Sequence, residues 1–189
     1  MEKTTLYIKN MVCDRCKAAV ACAFKDLGLT PLYVSLGVVE VKGVVDVDKR
    51  AEIGNSLARL GFELLEDRRR QTVERIKSEI IELVHYKDNK SAVNLSAYIS
   101  VRLGAEYSAL SKMFSEITGM TIERYFILQK IERVKELLFY DEMSLSEIAV
   151  KMNYSSTAYL STQFKNVTGM TPSQFKSQHK KELKQLDKI

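Results

Sequence analysis

An internal repeat in the second half of the chain constrains the fold more than any other feature of the sequence. Two motifs recur fifty residues further on: Leu110-Ser111-x-x-Phe114 returns as Leu160-Ser161-x-x-Phe164, and Thr118-Gly119-Met120-Thr121 returns as Thr168-Gly169-Met170-Thr171. Upstream of each copy stands a residue suited to the left-handed backbone conformation, Gly104 in the first and Asn153 in the second. Each copy therefore predicts a helix, a sharp turn and a second helix held inward by a Leu and a Phe, which is a helix-turn-helix motif.

A long amphipathic segment, residues 122–140, joins the two copies. Its apolar residues follow one face of the helix that it predicts, and they are Tyr125, Leu128, Ile131, Val134 and Leu138. The whole chain contains only 2 Pro and 8 Gly, which also favours helix. We expect this helix to act as a rigid rod that holds the two motifs at a fixed separation.

The first part of the chain has a different pattern, in which short β-branched runs alternate with helical segments. The pattern predicts strands over residues 4–9, 32–36, 38–42 and 62–66, a helix over 16–27, and a second helix capped by Asp48 and ended by Gly61. This βαββαβ order predicts a small ferredoxin-like sandwich. The chain as a whole is therefore expected to be α+β, with an all-α domain after the sandwich.

Between these two parts we expect a solvated helix over residues 71–85 and a polar loop over 87–94. The run Arg68-Arg69-Arg70 would open this helix, and direct contact of the three arginines with phosphate is the alternative. The predicted domain boundaries are then 1–66 for the sandwich, 67–89 for the linker, 90–181 for the helical domain and 182–189 for a tail.

The charge distribution and the cysteine content limit the cellular compartment and the kinds of partner that we expect for the protein. The net charge of +5 is uneven, because residues 1–66 carry nine basic and nine acidic side chains, whereas residues 67–189 carry twenty and fifteen. A basic second part favours a polyanionic partner. No apolar run is long enough to cross a bilayer and no secretory leader opens the chain, so we expect a soluble, cytoplasmic protein without a membrane partner. Three clustered cysteines fit reduced thiols better than structural disulfides.

The second copy of the repeat also carries a specific signature. Its residues are Leu145-Ser146-Glu147-Ile148-Ala149, Tyr154-Ser155-Ser156, Tyr159-Leu160-Ser161, Phe164-Lys165, Gly169-Met170-Thr171-Pro172 and Phe175-Lys176. Over residues 90–181 the chain resembles the AraC/XylS-type regulators. The resemblance implies a seven-helix domain whose recognition helices, residues 107–117 and 157–167, enter successive major-groove segments of double-stranded DNA about one helical turn apart.

The resemblance also indicates which side chains would contact base edges or phosphates. They lie opposite the inward-facing Leu110, Phe114 and Ile117 and at the matching positions of the second helix: Ser108, Ser111, Lys112, Ser115, Thr157, Ala158, Ser161, Thr162 and Lys165. Short hydroxyls discriminate less between bases than an arginine bound to guanine does, and many relatives carry Arg near the positions of Lys112 and Thr162. For any single position, a solvated helix face is the alternative.

A Cys-x-x-Cys motif, Met11-Val12-Cys13-Asp14-Arg15-Cys16, lies where the first predicted strand passes into the first predicted helix. Two thiols at this spacing can converge on one ion, with near-linear coordination suited to Cu(I) or as half of a tetrahedral Zn²⁺ or Cd²⁺ site. With Gly61-Phe62 before the last strand, residues 1–66 resemble the heavy-metal-associated domain of copper chaperones and metal-pumping ATPases. Asn10 and Val12 stand where that family usually has Gly and Thr.

The leading hypothesis is a cytoplasmic transcription regulator that senses a soft metal at Cys13 and Cys16 and binds a promoter through its helical part. The helix over residues 71–85 is the candidate coupling element. A thiol redox switch, a scaffold with inert thiols, and a metal chaperone whose helical half docks a protein partner are the alternatives. RNA polymerase and a second copy of the chain are further possible partners. Cys22 is expected to be an ordinary small side chain. No arrangement typical of catalysis is present, so the chain is not expected to be an enzyme.

Overall fold

The computed structural model describes residues 2–87, 89 and 93–182. Within them the chain is an α+β protein with one four-stranded antiparallel sheet and nine α-helices. It divides into two compact units that are not continuous in sequence: unit 1 is Met1–Glu79 with Ser96–Thr121, and unit 2 is Ile80–Leu95 with Ile122–Ile189. The first helix-turn-helix motif thus belongs to the same unit as the sheet. The domain boundaries inferred from the sequence stay predictions, and residues 183–189 of the predicted tail lie outside the described residues.

The sheet of unit 1 contains every strand that the sequence predicts, with ends that differ by at most one residue. Its strands are β1 (Lys3–Lys9), β2 (Pro31–Ser35), β3 (Val38–Lys42) and β4 (Glu63–Leu65). Their order across the sheet is β2-β3-β1-β4, and all neighbouring strands are antiparallel. Successive side chains of a strand point to opposite faces. The centre of one face is buried through Leu6 and Ile8 of β1 and Val39 and Val41 of β3.

Two helices supply the other half of this core: α1 (Asp14–Asp26) through Val20 and Phe24, and α2 (Val47–Arg59) through Ile53 and Leu57. The first begins two residues before its predicted start.

The predicted cap of α2 at Asp48 is wrong, because Asp46 is the N-cap. The backbone of Asp46 is extended, and its carboxylate accepts the Lys49 N–H at 2.8 Å. Asp48 already lies in the first helical turn, where its side chain cannot reach back to that N–H group.

The helix α3 (Arg68–Ile81) follows β4, and the arginine run opens it as the sequence predicts. It starts three residues before the predicted position 71, and its last turn widens into a π-helical segment, Glu82–Tyr86. Part of the predicted loop over 87–94 lies outside the described residues.

The backbone of the β2–β3 turn comes close to α3. Gly37 in this turn has a φ of +73°, and a Cβ atom placed there would lie 2.8 Å from the Ser78 hydroxyl. A glycine is needed at this position both for its backbone conformation and for the contact with the helix.

The first helix-turn-helix motif consists of α4 (Leu95–Leu103) and α5 (Tyr107–Thr118), with α5 ending one residue after its predicted end. Gly104 between them has a φ of +68°, as the sequence predicts. Leu110 and Phe114 are buried, but Ile117 is 40% exposed and does not face the core as expected. Ile117 lies in the last turn of α5, where the core no longer covers the helix.

Unit 2 contains α6 (Ile122–Tyr140), α7 (Leu145–Lys151), α8 (Thr157–Thr168) and α9 (Pro172–Glu182). The predicted bounds of α6 are confirmed, and Ile131, Val134 and Leu138 of its apolar face are buried. The second motif is α7 and α8, and Asn153 between them has a φ of 52°. Ser144 and Glu147 form a capping box at the start of α7. None of the described helices combines the length and the apolar composition that a bilayer crossing requires.

A buried lysine on α6 is a feature that the amphipathic pattern does not predict. Lys130 is 6% exposed, and its ammonium lies 3.7 Å from the centroid of the Tyr154 ring. The Tyr154 hydroxyl in turn donates a hydrogen bond to Gln163 Oε1 at 2.6 Å. The cation, the ring and the amide thereby connect α6, the turn of the second motif and α8.

Candidate nucleic-acid interface and thiol site

The predicted recognition residues of the first motif fall into two groups on α5. Ser108 and Lys112 are exposed, whereas Ser111 and Ser115 are half-buried beside the Leu110 and Phe114 face. A long cation and a short hydroxyl are thus accessible one turn apart. Such a pair can contact a phosphate and a base edge from one helix.

The second predicted recognition helix, α8, has a similar face. Ala158, Thr162 and Lys165 are exposed, and Thr157 and Ser161 are half-buried. The N-terminus of α8 is closed by Ser156, whose hydroxyl accepts the Tyr159 N–H at 3.1 Å. In helix-turn-helix proteins the N-terminal end of the recognition helix lies nearest the bases. The corresponding end of α8 is fixed by this cap.

Sequence reasoning missed Tyr159 as a surface residue of α8. The Tyr159 ring is 54% exposed, and its centroid lies 6.0 Å from that of the buried Tyr154 ring, which supports it. The sequence contained a signal for this residue, because Tyr159 directly follows Ala158, a predicted contact residue at the start of the helix. An aromatic ring at this position can pack against a thymine methyl group or the sugar backbone.

The thiol site lies at the start of α1. Cys13 is the N-cap residue, and its sulfur lies 3.4 Å from that of Cys16. Both side chains are partly accessible, and neither is in a disulfide. The two predicted ligands are therefore brought together, whereas Cys22 is exposed further along α1 and its sulfur lies 3.8 Å from an Asp26 carboxylate oxygen.

The environment of Cys13 favours its thiolate form. The backbone N–H of Cys16 donates towards the Cys13 sulfur and, together with the Cys16 thiol, lowers the pKa of Cys13, while burial opposes the shift. A thiolate is the form that binds metals and attacks disulfides. No group of three or more His, Cys, Asp or Glu side chains suited to one metal ion occurs within the described part of the chain.

The loop before the thiols depends on Asn10. This residue has a φ of +74°, a left-handed conformation that glycine adopts freely and asparagine tolerates. Its side-chain amide donates to the Gly61 carbonyl at 3.1 Å. This side-chain hydrogen bond holds the loop in its left-handed conformation, although the residue is not a glycine.

Contacts of α3 connect this loop with the first helix-turn-helix motif. The backbone N–H of Asn10 donates to Glu74 Oε1 at 3.3 Å. Further along α3, Glu79 binds Arg102 of α4 through both carboxylate oxygens at 2.7 and 3.0 Å. An ion pair between Arg69 and Glu116 joins the start of α3 to α5.

Comparison with known proteins identifies the class of the helical part. Residues 99–178 match the family model described as "Helix-turn-helix domain". Among curated proteins, an HTH-type transcriptional regulator of Staphylococcus aureus is 33% identical over 98 residues, which cover 52% of this chain and 12% of the relative. The Msm operon regulatory protein of Streptococcus mutans is 30% identical over 80 residues, which cover 42% of this chain and 29% of the relative. The chain thus spans a minor part of the length of these relatives.

A solved structure supports the same assignment. The C-terminal domain of AraT, a response regulator from Geobacillus stearothermophilus, has a TM-score of 0.51 and 26% identity, and the match covers 59% of this chain and 88% of that one. Residues 99–178 thus form a helix-turn-helix domain similar to the DNA-binding part of these regulators. The matched relatives are transcriptional regulators, which supports the prediction that the chain is not an enzyme.

Proposed function

We propose that the chain is a sequence-specific DNA-binding transcription regulator whose DNA affinity responds to a soft metal ion at Cys13 and Cys16. The observation that carries the proposal is the set of contacts in unit 1 that joins the thiol loop, α3 and both helices of the first motif. The match of residues 99–178 to the helix-turn-helix model supports the DNA-binding part. The convergent thiols support the metal-binding part.

DNA binding would use the exposed polar faces of α5 and α8. Lys112 and Lys165 are suited to phosphates, and Ser108 and Thr162 to base edges. Hydroxyl groups donate and accept, so they read a base less strictly than the fork of an arginine. The operator should therefore be specified by the combination of both helices, together with the sequence-dependent shape of the DNA.

The donor set favours a metal that accepts two soft ligands. Two thiolates suit Cu(I), whereas a tetrahedral Zn²⁺ or Cd²⁺ site needs four donors. The described residues near the pair supply no such group, so zinc or cadmium would need sulfurs from a second copy of the chain. Cu(I) is the first choice for this reason, and its thiolate ligands fit a reducing cytoplasm.

The proposal of a heavy-metal-associated, ferredoxin-like domain in residues 1–66 is supported by the arrangement of the sheet and its two helices. The element order is βαββαβ, and the strand order is β2-β3-β1-β4. The thiols stand at the β1–α1 connection. Asn10, which departs from the usual glycine of that family, adopts a left-handed conformation that glycine would also supply.

Coupling would act through α3. A metal held by both sulfurs fixes the loop after Asn10, and the loop is bonded to Glu74. A shift of α3 changes the contacts of Glu79 with α4 and of Arg69 with α5. Metal binding can alter DNA affinity only by its different affinities for the two arrangements of this helix.

The experiment starts by selecting duplexes from a random pool with the full chain. The dissociation constant of a selected duplex is then measured by fluorescence anisotropy with and without Cu(I), in reducing buffer. We expect a change of about fivefold or more. Cys13→Ser and Cys16→Ser should abolish the response, and Cys22→Ser should retain it. An unchanged dissociation constant on saturation with Cu(I) would refute metal regulation, and absence of salt-sensitive DNA binding would instead favour a metal chaperone.

A redox-responsive regulator is the second candidate, because the Cys13 thiol has a lowered pKa and lies within 3.4 Å of the Cys16 sulfur. An oxidant that forms the Cys13–Cys16 disulfide would then change the DNA affinity, and Cu(I) would not. The two candidates are separated by adding diamide or Cu(I) in parallel to the same duplex complex.

A further inference from the structure

We propose that a cleft in unit 1 binds a small organic monoanion with a planar apolar body. The cleft has a volume of about 390 Å³ and lies between the second face of the sheet and the helices α3 and α4. This volume is within the range of about 300–1,000 Å³ that is usual for small-molecule sites. The inference goes beyond the proposed function and does not involve the thiol pair.

The floor of the cleft is built by one face of the sheet. Tyr7 is paired with Val38 and Tyr33 with Glu40, so these four side chains point to the same side of the sheet. Tyr33 remains 56% exposed although it lines a concave surface. Two tyrosine rings and a valine offer a flat apolar surface on which a planar group can stack.

Both carboxylates of the cleft already have cationic partners. Both oxygens of Glu40 accept hydrogen bonds from Lys3 at 2.9 Å. Glu79 is bound by Arg102 through both oxygens and by the Tyr98 hydroxyl at 3.1 Å. These carboxylates are therefore not free to neutralise another cation.

Arg75 of α3 is the remaining charged group of the cleft. Its side chain is half-buried, and no acidic partner is present for it among residues 2–87, 89 and 93–182. The pairs Lys3–Glu40 and Arg102–Glu79 are each neutral. The net charge of the cleft is therefore the single positive charge of Arg75. A planar guanidinium binds a carboxylate through two parallel hydrogen bonds. The ligand chemistry that fits is one carboxylate attached to an aromatic body.

The wall of the cleft gives the ligand a route to the DNA-binding motif. Arg102 lies on α4, the first helix of the first helix-turn-helix motif, while Arg75 lies on α3. A ligand in the cleft would contact both helices and the sheet at once. It would thereby stabilise the arrangement in which Glu79 joins α3 to α4.

The test uses 2-naphthoate as the probe, titrated into the full chain by calorimetry without metal or DNA. We expect saturable one-site binding, and 2-naphthamide, its neutral isostere, should bind at least about tenfold more weakly because the charge-assisted pair is lost. Arg75→Gln should produce a similar loss, and Arg75→Lys should restore part of the affinity. Arg68→Gln, which removes an exposed arginine from the same helix, is the matched control.

Three results would overturn the proposal. They are no saturable binding of 2-naphthoate up to its solubility limit, equal affinities for the acid and the amide, and equal losses in Arg75→Gln and Arg68→Gln. Tyr33→Ala provides a second test, because loss of the exposed ring should weaken the naphthyl contact without removing the charge. Circular dichroism of each variant shows whether a loss of affinity reflects unfolding. Titration with inorganic phosphate distinguishes a site that binds any anion from one that also needs the apolar body of the ligand.

Discussion

The backbone N–H of Asn10 donates a hydrogen bond to Glu74 Oε1 at 3.3 Å, and this bond ties the loop that precedes the thiols to the middle of α3. Glu74 is buried. Its other carboxylate oxygen lies 3.6 Å from the Lys77 ammonium. Few water molecules can replace a partner that a largely buried acceptor loses, so this bond depends on the position of the loop. It is the point at which a change at Cys13 can first reach a helix outside the loop that carries the thiols.

Replacement of this acceptor should separate metal binding from its effect on DNA. In Glu74→Ala we expect an unchanged Cu(I) affinity, because neither thiol is altered, and a smaller effect of Cu(I) on the DNA dissociation constant. A competition titration with a Cu(I) chelator and anisotropy of labelled DNA measure the two quantities. Glu66→Ala removes an exposed carboxylate just before α3 and should behave as the wild type. A full Cu(I) response in Glu74→Ala would contradict coupling through this bond.

The left-handed conformation of Asn10 predicts a specific order of stability among its variants. Asn10→Val should lower the free energy of unfolding by about 1–3 kcal/mol, because a β-branched residue is strained at a φ of +74° and cannot bond the Gly61 carbonyl. Asn10→Gly loses the same hydrogen bond but relieves the strain, so we expect a smaller effect. Urea denaturation followed by circular dichroism measures both. Equal destabilisation by Val and Gly would show that the conformation is not the cause.

The buried Lys130 predicts a pH dependence for the stability of unit 2. Burial lowers the pKa of Lys130 to about 8 from its ordinary value of 10.5. Between these two values the unfolded chain binds more protons than the folded chain, so stability should rise with pH across this range, by about 3 kcal/mol at most. The contact with the Tyr154 ring favours the cation and reduces the rise.

Thermal unfolding of the wild type and of Lys130→Met between pH 7 and pH 10 tests this dependence. The methionine removes the titrating group at similar volume, so the rise in stability should be absent from the variant. Lys165→Met removes an exposed lysine of α8 and is the matched control. Identical pH profiles for the wild type and Lys130→Met would exclude Lys130 as the source.

The two kinds of polar residue on α8 should affect DNA binding differently. Lys165→Gln should weaken binding to all duplexes about equally and reduce the slope of log K against log salt by about 1, because a phosphate contact is lost. Thr162→Ala should change the preference for a base pair and leave the salt slope unaltered. Lys25→Gln makes the same charge change on α1. The interpretation of α8 as a recognition helix fails if neither variant differs from this control.

Local patterns explain why so much of this fold was predictable. The helix-turn-helix motifs depend on a turn residue and on an apolar spacing of three or four residues, so Gly104, Asn153 and the bounds of α6 follow from neighbouring positions. The strands likewise follow from β-branched runs. The sequence predicts Asp48 as the cap of α2, and only the extended backbone of Asp46, two residues earlier, shows that Asp46 is the N-cap.

The features that sequence reasoning missed depend on contacts between distant positions. Lys130 resembles any solvated lysine of an amphipathic helix until the ring of Tyr154 covers it. Ile117 fits the inward pattern of α5, but its exposure depends on where the core ends. The cleft around Arg75 forms only because α3 packs over the second face of the sheet, and no sequence motif predicts that packing.

The grouping of the first motif with the sheet and of the second motif with α6 has a consequence for promoters. An effector that acts inside unit 1 would change the affinity of the first motif for its half-site. The affinity of the second motif for the other half-site would stay the same. Target sequences should then differ in their two halves: a strongly matched half for the helix α8, and a weaker half whose mismatches set how far each promoter responds to the signal.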